Sequence, residues 1–303
     1  MSRKDFEDLI FYQSRISSKD KKNFRNFIFE RAGELGLKSE LYPRSGTSKN
    51  IVIGDLKKAK YIIGSFYDTP LSLPASLLQM GPIALFIINA LCIIISLLIL
   101  IIMPKVFYLI IPFVIILFYN LGLFGGAKKF NFNATSGILC LLDLMKKVGT
   151  MSNNIAYVFL DNHFKGYKGA KAMAKQMQKD GLDPTKRKVI IIDRIGLGNY
   201  IVLDYFRETK FVDEVKVALE SSKAIKSKIV LRDGSITNTS DHVGFKKFHQ
   251  VCIFGYNYRT ASGYVNDKES YRNDRMINHN NIDFLVEGLK TFIETHVKIE
   301  EKK

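Results

Sequence analysis

The stretch YIIGSFYDTP, residues 61 to 70, decides the fold class of this chain. It opens with three bulky residues, continues without a charge through Gly64 and Ser65 to Phe66, and then reaches Asp68. An uncharged run of this kind is typical of a strand buried on both faces, which requires helices on either side of its sheet. Functional groups in α/β folds gather at the ends of such strands. Asp68 is therefore a candidate site residue.

The rest of the chain alternates helical and strand patterns around this stretch. Residues 19–35 carry apolar side chains at helical spacing, which predicts an amphipathic helix. Further helices are predicted at 135–148, 169–180, 211–222 and 281–297. Strands are predicted at 38–43, 50–55, 60–66, 155–161, 188–193, 228–233 and 250–256. Nearly continuous apolar strands between helices predict an α/β fold whose sheet is covered on both faces.

Composition limits the class of protein and of partner. Of the 303 residues 47% are hydrophobic, which is ample for a packed core. The net charge of +16 is spread along the chain and favours an anionic partner, either nucleic acid or acidic lipid headgroups. Nucleic acid is disfavoured, because basic and aromatic residues are not interleaved as in proteins that stack bases. The three cysteines, Cys92, Cys140 and Cys252, are too few for a disulfide framework and fit a reducing compartment.

Two apolar runs interrupt the α/β pattern. Residues 81–103 and 106–124 carry no charge, and as helices they would be about 34 and 28 Å long. That length is enough to cross a hydrocarbon layer of about 30 Å, so we expect a transmembrane hairpin. The alternative is a hairpin buried in a protein core. Only Pro104 and Lys105 join the two runs, so the spans are expected to be antiparallel.

Lysines beside the hairpin set its expected orientation. The positive-inside bias places both termini and the soluble domain in the cytoplasm of a two-span cell-membrane protein. The lysines that carry this expectation are Lys57, Lys58, Lys60, Lys128 and Lys129. Residues 1–80 and 127–303 are expected to form one α/β domain, with the hairpin at 81–126 inserted between its two parts. The charged segment from Met1 to Asp20 predicts no signal peptide.

Four polar segments, GSFYDT, FLDNHFKG, IIIDRIG and NTSDHVGF, follow strands or lie in a later loop. Each has a structural interpretation by itself. Asp68 or Asp193 can cap a helix, Asp161 can form a turn, and His242 can lie on the surface. Their order along the chain favours one shared site instead.

The ordered motifs resemble those of a known family. They are Phe66-Tyr67-Asp68, Asn133-Ala134-Thr135-Ser136-Gly137, His163-Phe164, Asp193 with Ile195-Gly196, and Ser240-Asp241-His242. In this order the sequence resembles the two-zinc aminopeptidases of the aminopeptidase Y type, which include glutamate carboxypeptidase II and the glutaminyl cyclases. The resemblance covers about residues 20 to 298. It implies a three-layer α/β/α domain with a mixed central sheet, interrupted by the inserted hairpin.

The resemblance also implies that the metal site is degenerate. The first ligand histidine falls on Phe66, and the ligand glutamate falls on Phe164. The bridging aspartate falls on Asn133, and the general-base glutamate falls on His163. A phenylalanine has no lone pair to give a metal, and a neutral amide does not offset the charge of two divalent cations.

Only part of the family's acidic set is kept. Asp193 corresponds to a ligand aspartate, and Asp68 corresponds to the carboxylate that orients the missing histidine. The last ligand histidine is absent, because no histidine occurs between His249 and His279. One of five ligands therefore remains, whereas a catalytic zinc needs about three protein ligands. We expect no catalytic residue, no metal and no cofactor.

The expected function is that of a membrane-anchored, catalytically inactive zinc-aminopeptidase-like protein. It would act as a binding, scaffolding or regulatory module at the cytoplasmic membrane face. Its remnant pocket would consist of Asp68, His163, Asp193, Asp241 and His242. The expected partners are another membrane protein or its cytoplasmic peptide, and anionic lipid headgroups.

The alternative function is that of an active metallo-aminopeptidase or cyclase with a rewired site. In that case one zinc ion would be held by His163, Asp193 and His242. The sequence leaves both functions open.

Overall fold

The computed structural model describes residues 3–69, 81–120, 131–150, 153–207, 210–222, 228–233, 240–260, 263–265 and 276–297. The chain divides into two compact units. One comprises Met1–Thr69 and Phe130–Lys303, and the other is Pro70–Lys129. Within the described residues, every strand belongs to the first unit.

An eight-stranded mixed sheet forms the centre of the first unit, in the order β1-β2-β4-β3-β5-β8-β6-β7. Its strands are β1 (Ser39–Tyr42), β2 (Asn50–Ile53), β3 (Tyr61–Phe66), β4 (Ile155–Leu160), β5 (Lys188–Ile192), β6 (Tyr200–Tyr205), β7 (Lys228–Asp233) and β8 (His249–Tyr256). Strands β3, β4, β5 and β8 are parallel, whereas β2 and β6 pair antiparallel with their neighbours β4 and β8. A separate antiparallel pair joins β9 (Tyr258–Thr260) and β10 (Gly263–Val265).

Helices cover both faces of this sheet. Among the described residues, the α-helices are α1 (Arg3–Ile10), α2 (Ser18–Glu34), α3 (Gly81–Ile102), α4 (Ile111–Asn120), α5 (Phe132–Val148), α6 (Lys168–Lys179), α7 (Lys210–Ser221) and α8 (His279–Phe292). Apolar residues of α1, α2, α5, α7 and α8 form one buried cluster with the sheet. Apolar residues of α6 and of the short 3-10 turn Asp241–Phe245 form a second cluster.

The side chains of β3 explain why two clusters exist. Tyr61 and Ile63 belong to the first cluster, whereas Ile62 and Phe66 belong to the second. Successive residues of a strand point to opposite faces, so an all-apolar strand has to be covered on both sides. The predicted α/β fold, with a mixed sheet between two helical layers, is confirmed.

Three parallel strands end side by side at the edge where the candidate residues lie. Phe66 of β3 is paired with Leu160 of β4, and Gly64 is paired with Ile191 of β5. The start of α5 packs closely over these ends at Gly137. A Cβ atom at Gly137 would lie 2.8 Å from the carbonyl oxygen of Ile192 and would also overlap the Ser65 side chain. Glycine therefore permits this close packing of helix on sheet.

Several elements were not predicted from the sequence. Helix α1 and strand β6 are absent from the predicted set, and so is the β9–β10 pair. Strand β6 lies between β8 and β7 and supplies the antiparallel neighbour of β8. In this half of the sheet, the antiparallel pairing therefore comes from β6, a strand that the sequence pattern did not predict.

The second unit corrects the prediction of two membrane spans at 81–103 and 106–124. The second apolar run is broken into a 3-10 helix, Pro104–Ile110, which contains a non-helical residue, and α4. Helix α4 has 10 residues, and residues 121–124 of the predicted second span lie outside the described residues. Helix α3 has 22 residues.

Among the described residues, no helix combines the length and the apolar character that crossing a membrane requires. The predictions of a transmembrane hairpin and of a two-span cell-membrane protein with cytoplasmic termini are therefore wrong. Within the second unit, large apolar side chains such as Ile101 and Ile102 are exposed.

We expect Gly137→Ala to destabilise the first unit by about 1–3 kcal/mol, because the added methyl group would meet backbone that cannot move freely. The measurement is urea unfolding followed by far-UV circular dichroism. Gly33→Ala in α2 is the matched control, since a Cβ there meets no atom within 4 Å. The control should be neutral or stabilising by up to about 1 kcal/mol. Equal effects of the two substitutions would contradict the close packing of α5.

Candidate functional site

Aromatic rings lie against His163 at the ends of β3 and β4. The Phe66 ring stacks on the His163 imidazole with ring centroids 4.0 Å apart and an interplanar angle of 22°. Phe164 meets Phe66 edge-on at 5.6 Å, and Tyr167 meets His163 edge-on at 5.1 Å. Phe66 is fully buried, whereas Phe164 is 40% exposed. The two phenylalanines at the predicted ligand positions, Phe66 and Phe164, therefore both pack against the His163 imidazole.

Asp68 fixes the backbone turn that carries His163. Its Oδ1 accepts a hydrogen bond from the His163 amide at 2.9 Å, and its Oδ2 accepts one from the Phe164 amide at 3.4 Å. Both amides belong to the 3-10 turn His163–Lys165. Burial raises the pKa of Asp68, although Lys21 and His163 oppose the shift. Asp68 therefore acts as a cap, as one interpretation of the sequence suggested. It caps the turn His163–Lys165, which is distant in sequence, and not a helix that follows it directly.

His163 forms an ion pair with Asp241. The Nδ1 atom of the buried imidazole lies 2.8 Å from Oδ2 of Asp241, which is fully buried. Burial by itself would lower the pKa of His163, but Asp241, together with Asp193 and Asp68, raises it above its usual value. Burial also raises the pKa of Asp241, although His163 opposes that shift, so the two groups titrate as a coupled pair. The structure brings together His163 and Asp241, two residues that lie in separate motifs of the sequence.

Asp193 follows β5 and is fully buried. Its Oδ1 accepts a hydrogen bond from Arg194 Nε at 2.8 Å, and its Oδ2 accepts one from Ser240 Oγ at 2.7 Å. Burial alone would raise the pKa of Asp193, but the Arg194 guanidinium, with His163 and Ser240, holds it below its usual range. Both carboxylate oxygens therefore have protein partners. Sequence reasoning found Asp193 and missed Arg194.

Lys21 is a buried cation that sequence reasoning also missed. Its Nζ donates to Oδ1 of Asp161 at 2.6 Å and to Oδ1 of Asn162 at 3.0 Å, and it lies 3.9 Å from Oδ2 of Asp68. A signal for it exists in the sequence. Lys21 precedes Phe24 by three residues, so it occupies the buried stripe of α2. A lysine on an apolar stripe indicates a buried anionic partner, which here is the end of β4.

Asn133 lies in the first turn of α5 and is buried. The Ser136 hydroxyl donates to the Asn133 carbonyl oxygen at 2.5 Å and accepts from the Ile195 amide at 3.0 Å. This hydroxyl links the helix to the segment that follows Asp193. A Cβ at Gly196 would lie 3.3 Å from Asn133 Oδ1, which places that amide beside the same segment. The structure therefore brings Asn133 to the edge of the sheet where Asp193 lies.

His242 directly follows Asp241, and its ring packs among aromatic side chains. Its ring stacks on Phe206 with centroids 4.9 Å apart and meets Phe254 edge-on at 6.2 Å. Burial lowers the pKa of His242 to about 4. Among the described residues, neither ring nitrogen has a hydrogen-bond partner. His242 is fully buried, so its interpretation as a surface residue is wrong.

Protein cations offset much of the negative charge of the site. Buried carboxylates follow the three strands at Asp68, Asp161 and Asp193, and a fourth, Asp241, lies in the turn Asp241–Phe245. The cations beside them are Lys21, His163 and Arg194. Within the described residues, no group of three or more His, Cys, Asp or Glu side chains is placed to hold a metal ion. An arrangement of this kind can hold the strand ends and the turn His163–Lys165 in place.

A cavity of 620 Å³ lies elsewhere, beside β1. Its lining includes Tyr42, Arg44, Lys57 and Asp180. The Tyr42 hydroxyl donates to Oδ2 of Asp180 at 2.6 Å, so part of this polar lining is satisfied internally. None of the predicted site residues contributes to the cavity.

The fold is similar to those of several solved structures. No family model and no curated protein matches the sequence. Among solved structures, the LapA aminopeptidase of Legionella pneumophila superposes with a TM-score of 0.59 at 13% identity, over 95% of this chain and 69% of that one. The chain has an aminopeptidase-like fold.

Two further structures extend this likeness. The glutaminyl cyclase of Porphyromonas gingivalis has a TM-score of 0.61 at 12% identity, over 95% of each chain. A Zn-dependent exopeptidase from Parabacteroides distasonis has a TM-score of 0.57 at 12% identity, over 93% of each chain. At these identities the aminopeptidase-like fold is established, and the chemistry has to be argued from the site's own residues.

We expect Lys21→Met to destabilise the aminopeptidase-like unit by about 3–5 kcal/mol, because it leaves the Asp161 carboxylate buried without its cation. Urea unfolding measures the change. The control is Lys22→Met at the neighbouring exposed position, where the effect should stay within about 0.5 kcal/mol. A loss below about 1 kcal/mol for Lys21→Met would show that Asp161 and Asp68 do not depend on this lysine.

Replacing His163 should change how stability depends on pH. Because the pKa of His163 is raised in the folded state, its stabilising ion pair is fully present below about pH 6.5 and is lost as pH rises through the folded value. The difference in free energy of unfolding between wild type and His163→Gln should therefore shrink as pH increases above that point. Unfolding titrations across this range measure it.

His242 provides the control of opposite sign. Its folded pKa of about 4 lies below the usual 6.5, so the unfolded chain binds a proton that the folded chain does not. The wild type should lose stability from His242 as pH falls from 6.5 towards 4, and His242→Gln should remove that loss. If the difference in free energy of unfolding between wild type and each variant did not vary with pH, the pKa shifts assigned to His163 and His242 would both be contradicted.

Proposed function

We propose that this chain is a catalytically inactive protein with a zinc-aminopeptidase-like fold that acts as a binding, scaffolding or regulatory module. The proposal combines the fold with a site in which Asp68, Asp193 and His163 are already bound to other protein groups. Its partner would be a segment of another protein, contacted at the surface above the strand ends. No cofactor is part of the proposal.

One observation carries the proposal, namely that the donor set does not fit a hydrolytic zinc ion. Phe66 stands where the resemblance places a ligand, and its ring is packed on His163. Asp193, the ligand that is kept, gives its two oxygens to Arg194 and Ser240. Zinc would have to displace a guanidinium from a fully buried carboxylate, and it would regain too few ligands to offset its dehydration.

The positive charge in the site supports the same conclusion. A dication near His163 would be repelled by the imidazolium that Asp241 favours and by Arg194. The family's zinc ions neutralise carboxylates, and in this chain Lys21, His163 and Arg194 take that role. The electrostatic need for a metal is therefore met by the protein itself.

Partner binding is supported by what the site leaves exposed. Phe164 is the large apolar residue of the site that solvent reaches, at 40% exposure. It rests on Phe66 and beside His163, so its position is fixed by buried groups. A rigid, partly exposed aromatic side chain is the kind of residue that dominates protein interfaces.

A second candidate is an active metalloenzyme with a rewired single-zinc site at His163, Asp193 and His242. It rests on His242, because both ring nitrogens lack a hydrogen-bond partner among the described residues. The contact of His163 Nδ1 with Asp241 leaves Nε2 available for a metal, so the argument against this candidate rests on Asp193, whose two oxygens are bound to Arg194 and Ser240.

Zinc content tests the proposal. We expect protein incubated with excess zinc and then passed through gel filtration to retain well below about one ion per chain, because a catalytic site needs about three protein ligands. The measurement is elemental analysis by inductively coupled plasma mass spectrometry. Hydrolysis of aminoacyl nitroanilides and cyclisation of N-terminal glutamine should stay at the uncatalysed rate.

Two variants make this result interpretable. Asp193→Asn removes the retained ligand, and His242→Gln removes the group on which the rewired site depends. One or more zinc ions per chain, lost in either variant and accompanied by chelator-sensitive turnover, would overturn the proposal in favour of the metalloenzyme. Zinc retained equally by the wild type and by both variants would point to a surface site and leave the proposed inactive centre standing.

A further inference from the structure

A row of lysines follows one side of helix α6. Lys168, Lys171, Lys175 and Lys179 are all exposed. At about 100° per residue they fall within an arc of about 80°, and they cover about 16 Å along the helix. We call these four residues the lysine face. The opposite side of α6 is buried through Ala170, Met173, Ala174 and Met177.

The lysine face is held rigidly against the core. The 3-10 turn Asp241–Phe245 packs on α6 so closely that a Cβ at Gly244 would lie 2.8 Å from the Lys171 amide nitrogen. Lys247, which follows that turn, donates from Nζ to Oε1 of Gln178 at 3.2 Å, so another cation lies along the same helix. The helix that carries the lysine face is therefore packed tightly against the turn that contains Asp241.

Within the described residues, few carboxylates neutralise the positive charge of the lysine face. No ion pair among the described residues involves Lys168, Lys175 or Lys179. Lys171 donates from Nζ to the carbonyl oxygen of Gly166 at 2.9 Å, which does not neutralise it. Asp180, directly after the helix, is engaged with Tyr42 and Gln176. Clustered like charges of this kind are unfavourable without an anionic partner.

The face begins beside the candidate site. The turn His163–Lys165 precedes α6, and it contains exposed Phe164 and exposed Lys165. One continuous segment therefore carries the exposed aromatic ring and then the lysines.

We propose that the lysine face, together with Phe164, binds an acidic segment of a partner protein in extended conformation. Lys171, Lys175 and Lys179 follow one another at about 6 Å. Alternate residues of an extended chain are about 6.7 Å apart and point to the same side, so a segment with an acid at every second position matches this spacing. An apolar side chain beyond its end would meet Phe164.

The composition of the face favours a protein segment over nucleic acid. Its cations are all lysines, with no arginine to bind phosphate through a planar fork. A protein that binds single-stranded nucleic acid also needs several aromatic rings on which successive bases stack. Among the described residues beside the lysine face, Phe164 is the large apolar ring that is exposed. This inference rests on the proposed function in that it identifies the partner class of the binding module.

The test measures binding of an N-acetylated, fluorescent peptide of about ten residues that alternates glutamate and serine, with a spacing chosen for an extended chain. Fluorescence anisotropy at low salt gives the dissociation constant. Replacing all four lysines of the face with glutamine should weaken binding about tenfold or more, since four charge contacts are lost. Added salt should weaken binding to the wild type and have little effect on the variant.

The matched control replaces four exposed lysines elsewhere, Lys22, Lys38, Lys57 and Lys228, with glutamine. It removes the same net charge, so it should change binding by less than about twofold if the position of the charges matters. Phe164→Ser should weaken binding of a peptide with a leucine added beyond the acidic run. If the fourfold variant fails to fold by circular dichroism, the pairs Lys168→Gln with Lys171→Gln and Lys175→Gln with Lys179→Gln carry the test.

Three outcomes would overturn the inference. They are equal weakening in the control, no measurable binding by the wild type at low salt, and tighter binding of an oligothymidylate of similar charge that the face variant abolishes. The acetylated peptide offers no free amine to an aminopeptidase, so its binding is read independently of catalysis. A zinc-dependent turnover would defeat the proposed function while selective loss of peptide binding would still support the lysine face.

Discussion

Carboxylates buried together have to be neutralised at contact distance, and this need organises the end of the sheet where β3, β4 and β5 stop. Lys21 reaches from α2 to Asp161 and Asp68, and His163 pairs with Asp241. These cations come from a helix and from a turn that are far apart in the sequence, so the charge balance also ties the two helical layers to the strand ends. The aromatic stack depends on this balance, because it positions the imidazole against which Phe66 packs.

In the proposed function, the same constraint explains how an aminopeptidase-like fold would do without a zinc centre. A zinc ion is one way to neutralise clustered carboxylates, and internal cations are another. The two are mutually exclusive at Asp193, whose oxygens are shared between Arg194 and Ser240. We propose that binding is instead carried by Phe164 and by the lysine face, which follow one another along the chain.

Sequence reasoning was sufficient where local pattern decides structure. It gave the sheet covered on both faces and the gathering of Asp68, His163 and Asp193 at one edge, because strand patterns are short-range and parallel strands share an end. It missed the pairing of His163 with Asp241, since partners across 78 positions of sequence are chosen by tertiary packing. It also missed Arg194, although this residue directly follows the Asp193 carboxylate that it binds. It was wrong about the second apolar run, because hydropathy counts residues and does not register the break that begins at Pro104.

The central claim is that protein cations occupy the place of the metal, and anomalous diffraction from crystals grown with excess zinc tests it most directly. The account predicts no zinc peak beside Asp193, with Arg194 still bound to that carboxylate and His163 Nδ1 still in contact with Asp241. A zinc peak bonded to Asp193 and to either His163 or His242, with the guanidinium displaced, would contradict it.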